Sequence, residues 1–264
     1  MRSCVSIVGT MRTIAIANQK GGAGKTTTAV HLAVALRRLG HRVLLIDIDG
    51  QGNATTYLGL QKGGLALLDV LVGRRAFREA VQPTEFGVDV LAGGPDLEGI
   101  DVVLYMKKQA TAPFLLKQQL ESVNGQWDYV LIDCPPNLGI ATSSALMAAS
   151  EVLIPVQTEA MAAEGVGRLC ENIDEARTVN GSLRVVGVLP CMSSSRESLS
   201  QEVEALLKEH FGPLVFSVAI RRSTKVAQSY TARSPMHSYD PKNHAVKEYD
   251  KVARELVARG QVAA

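Results

Sequence analysis

Residues 18–28 read Asn-Gln-Lys-Gly-Gly-Ala-Gly-Lys-Thr-Thr-Thr, an order of residue types suited to wrapping a chain of phosphates. Gly21, Gly22 and Gly24 let the backbone turn so that successive N–H groups, that of Ala23 included, converge on one centre. The N-terminus of the helix that this segment opens would add roughly half a positive charge there. A polyphosphate is the natural guest. Lys25 would reach its β- and γ-phosphates, the Thr26 hydroxyl would ligate Mg²⁺, and Thr27 would donate to the α-phosphate. With Gly at about 7% of residues, a chance GGxGK[ST]T in a chain of this length has a probability on the order of 10⁻⁴ or less.

Two further segments end in carboxylates. The run Val43-Leu44-Leu45-Ile46 leads into Asp47-Ile48-Asp49-Gly50-Gln51-Gly52-Asn53. At a period of two, both aspartates point to the same side, and Asp49 lies past the strand's C-terminal edge, where ligands bind in open α/β sheets. Tyr129-Val130-Leu131-Ile132 delivers Asp133 in the same way, which is the Walker B arrangement and sets Asp133 over the Mg²⁺. The next residue, Cys134, has no neighbours that would activate it and reads as a buried spectator.

These residues need a scaffold that brings several strand ends together. Short apolar runs recur at 13–17, 43–46, 88–91, 129–132, 152–156 and 185–189, with helix-period segments between them. Their continuous apolar character means that both faces are covered, as in a single doubly wound, mostly parallel sheet flanked by helices. In the first unit, Ala29, Leu32, Ala33, Leu36 and Leu39 fall on one helical face, and Gly40 ends the helix. No linker and no fixed-period repeat interrupts the chain, so the reading is one α/β domain over 13–264 behind an N-terminal extension, 1–12. Residues 59–104 read as loops around one strand and short helices.

Composition narrows the class. The chain has 264 residues, of which 46% are hydrophobic and 20% charged, with a net charge of +2, so it folds unaided and any polyanion contact must come from a local patch. Cys4, Cys134, Cys170 and Cys191 form no CxxC pair, which disfavours a zinc ribbon, a bridged cluster or a disulfide framework and fits a reducing cytoplasm. No apolar run is long enough to span a membrane, and the first residues lack a signal-peptide block.

The loop departs from the ordinary Walker A spelling, with Gln19 where a glycine is usual and a second lysine, Lys20, inside it. It resembles the deviant Walker A ATPases, and most closely the ParA/Soj partition branch rather than the MinD branch. The resemblance extends through the DxDxQGN motif at 47–53 and the segment Trp127 to Pro136. It continues through Pro155-Val156-Gln157-Thr158-Glu159, Ile220 to Lys225 and Tyr239-Asp240-Pro241. It implies a homodimer formed when ATP is bound, in which Lys20 crosses the interface to the other subunit's phosphates. It also implies that Asp49 orients the attacking water and holds Mg²⁺ through water. Catalysis would then rest on Lys20, Lys25 and Asp49. Gly50 stands where proline is common, and Ile220-Arg221-Arg222-Ser223 where the base loop usually reads Ile-Pro-Arg-Asn.

From His210 to Tyr239 there is no Asp or Glu, while Arg221, Arg222, Lys225 and Arg233 supply four cations, with Arg196 as a possible extension. In the family such a surface binds DNA without sequence preference, and the resemblance further implies a ParB-like centromere-binding partner and a nucleoid-associated protein. The terminal helix, 244–259, reads as core-docking with charges of mixed sign on its outer face, which argues against a membrane anchor. The dozen residues ahead of the first strand are too few for a DNA-reading module. The alternatives are a positioning ATPase for a non-DNA cargo and a MinD-like septum-site regulator.

Overall fold

The computed structural model describes residues 11–63, 67–97, 100, 111–137, 139–159, 162–194 and 197–261, with side chains 162–166 and 168 outside the description. Its centre is an eight-stranded sheet of order β3-β4-β2-β5-β1-β6-β7-β8, with every neighbouring pair parallel except β3 and β4. β1 (Arg12–Ile16), β2 (Val43–Asp47), β4 (Asp89–Leu91), β5 (Tyr129–Asp133), β6 (Glu151–Gln157) and β7 (Arg184–Ser193) are the strands that the apolar runs anticipate.

Alternation along each strand sends side chains into two cores. Ile14, Ile16 and Leu45 pack under α1 (Lys25–Arg38) and the C-terminal helix, while Ala15, Leu44 and Ile46 face the opposite layer of helices. That second layer holds α3 (Leu67–Leu71), α4 (Phe77–Ala80), α5 (Leu115–Glu121), α6 (Ile140–Ala148), α7 (Ala162–Val179) and α8 (Ser198–Phe211), whereas α2 (Asn53–Tyr57) packs on the same side as α1. Burial on both faces is what removes polar residues from these strands.

Two strands escape the sequence reading. β3 (Val81–Pro83) and β8 (Ile220–Arg221) are three and two residues long and form the sheet's edges, too short to show a period. Pro83 is tolerated because an edge strand has one side without ladder bonds. α1 ends as expected, with Gly40 at φ 94°, but Leu39 is the C-cap and is 39% exposed rather than packed on the core face.

α9 (Thr224–Thr231) and α10 (Met236–Tyr239) lead to α11 (His244–Gln261). The α11 residues Ala245, Tyr249, Val252, Ala253 and Leu256 are buried against α1 and the sheet, as their spacing anticipates. Glu248, which the helical pattern places outside, is instead only 6% exposed because Arg221 and His244 close over it.

Candidate functional site

The insertion of β5 between β1 and β2 creates the site. Its register pairs Asp133 with Ile16 on one side and with Asp47 on the other, so the chain leaving β1 turns directly above Asp133. The turn is the glycine-rich loop. Gly22 has φ 75° and Gly24 φ 92°, left-handed values that a side chain resists, and Gly24 is the N-cap of α1. Asn18 anchors the loop: its amide donates to the Pro155 carbonyl (2.7 Å) and its side-chain oxygen accepts from Lys20 N–H (3.0 Å).

Lys25 lies inside the loop, 7% exposed, with its ammonium donating to the Lys20 carbonyl at 3.2 Å. Burial pulls its pKa down, and Asp133 opposes that pull. Asp133 is fully buried, and neither of its oxygens has a hydrogen-bond partner. The Thr26 hydroxyl lies near enough to favour the charged form without completing a hydrogen bond; burial first, and Asp47 next, drive the carboxyl well above its ordinary range. A buried carboxylate without a donor is costly unless a cation completes it.

Asp47 is placed differently. Its Oδ2 accepts from both the backbone N–H and the hydroxyl of Thr55 at 2.8 Å, and the Thr55 hydroxyl in turn accepts from Gly93 N–H at 2.9 Å. Burial raises its pKa to about 6. Asp47 therefore binds the end of β2 to α2 and to the chain after β4, and it leaves the cleft to Asp49. Asp49 sits in an Asx turn, with Oδ1 accepting from Gln51 N–H at 2.9 Å, and lines a cleft of about 360 Å³ with Gly21, Gly22, Gly24, Lys25 and Thr26. The turn chemistry and the cleft position coexist.

Gly93 is a support that the motifs do not reveal. A Cβ there would stand 2.5 Å from the Asp47 carbonyl oxygen and 2.9 Å from its Cγ, a clash with backbone that no rotamer relieves. Gly93→Ala is expected to destabilise the fold by about 2 kcal/mol, as overpacking does. A urea midpoint within error of the parent would remove this support from the account.

Next to this cleft lies a larger cavity of about 640 Å³, and the two share Gly24, Thr26, Thr27, Asn53 and Met192. Its far walls are Ile220 and Arg221 of β8, Ser223, and Val226 and Tyr230 of α9, with Tyr57 and Tyr249 behind. The volume and apolar lining suit a nucleoside. Met192 holds φ 55° at a register shift between β7 and β8, a bulge that bends β7 at the mouth of both spaces.

α9 is bolted to the rest of the site through buried polar groups. Tyr57 of α2 donates to the Val226 carbonyl (3.1 Å) and meets the Ser229 hydroxyl (2.6 Å), and Tyr230 donates to Asn53 Oδ1 (2.9 Å). Behind them, His31 donates from Nδ1 to the Thr27 carbonyl (2.7 Å), and its Nε2 accepts from Met236 N–H (3.2 Å). Burial lowers the His31 pKa to about 3, so it is neutral with the proton on Nδ1.

The remaining cations are distributed unevenly. Lys20 pairs with Glu159 at 3.5 Å and Arg222 pairs with the same carboxylate at 3.2 Å, while Arg221 pairs with Glu248. The stretch free of acids in sequence is thus partly neutralised in space by residues from β6's end and α11. Lys225 and Arg233 are exposed and have no acidic partner among the described residues, and Arg196 lies outside them. Cys134 is buried, and burial pushes its thiol pKa up, away from reactivity. Glu159 was visible in sequence only as part of a matching segment; nothing there tied it to Lys20.

The chain is similar to known proteins over nearly its whole length. Residues 11–185 match the family model described as an AAA domain. The chain is 40% identical over 255 residues to the chromosome partitioning protein ParA of Caulobacter vibrioides, covering 94% of this chain and 95% of that protein. It is 41% identical over 254 residues to the chromosome-partitioning ATPase Soj of Thermus thermophilus, covering 96% and 98%. Among solved structures, it superposes with a TM-score of 0.84 on a cobyrinic acid a,c-diamide synthase from Mycobacterium smegmatis, solved with ADP and magnesium. That match has 32% identity and covers 96% of this chain and 97% of the other. A loop capped by left-handed Gly24, an unpartnered Asp133 beneath it and near-complete alignment with partitioning proteins together place this chain in the ParA/Soj family of deviant Walker A P-loop NTPases.

Proposed function

We propose that this chain is a partition ATPase that binds ATP with Mg²⁺, dimerises in that state, holds DNA without sequence preference, and releases it on hydrolysis under the control of a ParB-like partner. The observation that carries the reading is Asp133, fully buried, without a hydrogen-bond donor, under a loop whose other buried charge is Lys25. The ATPase domain of this reading is the one expected over 13–264, with its first strand beginning one residue earlier, at Arg12.

The donor set fits Mg²⁺. No group of three or more His, Cys, Asp or Glu is placed to hold a metal ion among the described residues, so an all-protein cage is absent there. One carboxylate and one hydroxyl, Asp133 and Thr26, with Asp49 acting through water, are what Mg²⁺ takes when phosphates supply the rest. The ion, when bound, would offset charge on the β- and γ-phosphates. The amides of Gly21, Gly22, Ala23 and Gly24 would cradle the phosphates, with Thr27 on the α-phosphate. Lys25 would exchange the Lys20 carbonyl for phosphate oxygens, so the ammonium is already placed. Asp49 would accept a hydrogen bond from the attacking water, orienting it in line with the γ-phosphorus.

Lys20 would act from the partner subunit. Its tie to Glu159 joins two groups that are 35% and 45% exposed, and such surface pairs contribute about 0–1 kcal/mol. Releasing it costs little. Two nucleotides facing each other concentrate negative charge at an interface, and a lysine from each side offsets it as an arginine finger does.

Arg221, Arg222, Lys225 and Arg233 supply the DNA contacts in this reading, with Arg196 extending them. Retention of duplex DNA is expected with ATP and Mg²⁺ and not with ADP, falling at least ~10-fold at moderate salt in Arg222→Glu/Lys225→Glu. Equal retention by that variant would move the contact surface elsewhere.

A further inference from the structure

Tyr57 and Tyr230 form a buried-to-half-buried contact between α2 and α9. Tyr57 is buried, and burial pushes its pKa up to about 12, so its hydroxyl keeps its proton. That hydroxyl lies 3.1 Å from the Val226 carbonyl and 2.6 Å from the Ser229 hydroxyl, itself fully buried. The backbone of α9 is thereby fixed at the residue before Tyr230. The Tyr230 ring meets that of Tyr57 edge-on, with centroids 5.2 Å apart, and lines the nucleoside-sized cavity.

From that wall the Tyr230 hydroxyl donates to Asn53 Oδ1 at 2.9 Å, and Asn53 lines both the cavity and the smaller cleft that holds Asp49. Asn53 is the first residue of α2 and stands four residues after Asp49. The turn between them closes on itself. Gln51 N–H donates to Asp49 Oδ1 at 2.9 Å, and Gly52 N–H donates to the Asp49 carbonyl at 2.9 Å. Such bonds set the shape of a turn, not its place in the cleft. One end is tied to β2, where Asp49 N–H donates to Asp47 Oδ1 at 3.3 Å. The other end, Gly52 at φ 58° and then Asn53, is tied to α9 by the Tyr230 hydroxyl.

We infer that Tyr230 and Asn53 are a positioning pair, holding the Asp49 turn in place from the wall of the nucleoside-sized cavity. The pair's role rests on the reading of Asp49 as the group that orients the attacking water. A nucleoside seated in the cavity would pack against the Tyr230 ring, so one side chain meets the base end of the substrate and steadies the group that acts at its phosphate end. Small displacements matter there, since a misplacement of about 1 Å can cost as much as ~100-fold in rate. A Tyr230 that served only as cavity wall would instead act on substrate binding, through its ring and not its hydroxyl.

The test is steady-state phosphate release with ATP and Mg²⁺ by the parent chain, Tyr230→Phe, Asn53→Ala and the double variant, with kcat and KM read separately. Tyr230→Phe keeps the ring and removes only the hydroxyl. It should lower kcat about fivefold, the effect of one hydrogen bond, and leave KM within about twofold. Asn53→Ala should lower kcat at least as far, and adding Tyr230→Phe to it should lower kcat no further, because both changes break the same bond. Binding of a fluorescent ATP analogue within about twofold of the parent reports an intact fold; should one single variant fail to fold, the other reads the same bond by its own kcat and KM. Parental kcat in Tyr230→Phe overturns the pair and leaves the role of Asp49 standing, and a raised KM at parental kcat makes Tyr230 a cavity wall only. Rate losses that multiply in the double variant overturn it as well. A parent chain that releases no phosphate from ATP overturns the proposed function together with the pair.

Discussion

Asp49→Ala is expected to slow ATP turnover at least ~100-fold, the lower end of what a positioned acid–base group supplies, while ATP affinity changes by less than about threefold. The asymmetry follows from the arrangement around the cleft. In the proposed reading binding would rest on the loop amides, Lys25, Asp133 and Thr26, while Asp49 would reach the metal only through water and its side chain accepts from Gln51 N–H within its own turn. The Asp47–Thr55–Gly93 linkage keeps the end of β2 in place without it. Glycine at position 50 leaves this turn less constrained than proline would, so the Asx bond carries more of its positioning. Loss of the water-orienting group should also prolong the ATP state, seen as a persistent dimer by size exclusion. Phosphate release at the parental rate would assign the water to another residue.

Lys20→Ala is expected to abolish the ATP-dependent dimer while leaving nucleotide binding by the monomer within about threefold. Among the described residues of one subunit the Lys20 ammonium pairs with Glu159 alone, and Lys25 uses the Lys20 backbone carbonyl, which alanine retains. Nothing in the cleft of a single chain depends on this side chain. Across an interface it would face the partner's triphosphate, where a buried cation is worth far more than at the surface. Analytical ultracentrifugation with ATP and Mg²⁺ reads the effect directly. Dimerisation equal to the parent would confine Lys20 to its contact with Glu159.

Much of the fold can be read from the chain because both sheet faces are covered. Strands buried on two sides become continuous runs of Val, Ile and Leu, and β1, β2, β5, β6 and β7 stand out for that reason. β3 and β8 do not, since two or three edge residues have no period. The candidate phosphate cleft is similarly legible: Gly22, Gly24, Lys25 and Asp49 line it, Asp133 ends the neighbouring strand β5, and all carry chemistry in their types and spacing. Their supports are silent in sequence. Thr55, Gly93 and Tyr57 matter only through the residues they touch across long stretches of chain. Charge is the least legible property of all. The acid-free run from His210 to Tyr239 meets Glu159 and Glu248 in space, whereas on α11 Glu248 is buried, Asp250 and Glu255 are half-buried in pairs, and Lys247, Lys251 and Arg254 are exposed.

The central claim is that the loop from Lys20 to Thr27 encloses a triphosphate, with Asp133 and Thr26 serving its metal. A crystal structure grown with Mg²⁺ and a non-hydrolysable ATP analogue tests it most directly. The expected density shows phosphates within hydrogen-bond reach of the Gly21–Gly24 amides and Lys25, Mg²⁺ beside Thr26 and Asp133, and the partner's Lys20 on the γ-phosphate. An empty or occluded loop, with the analogue bound elsewhere or not at all at saturating concentration, would contradict the account.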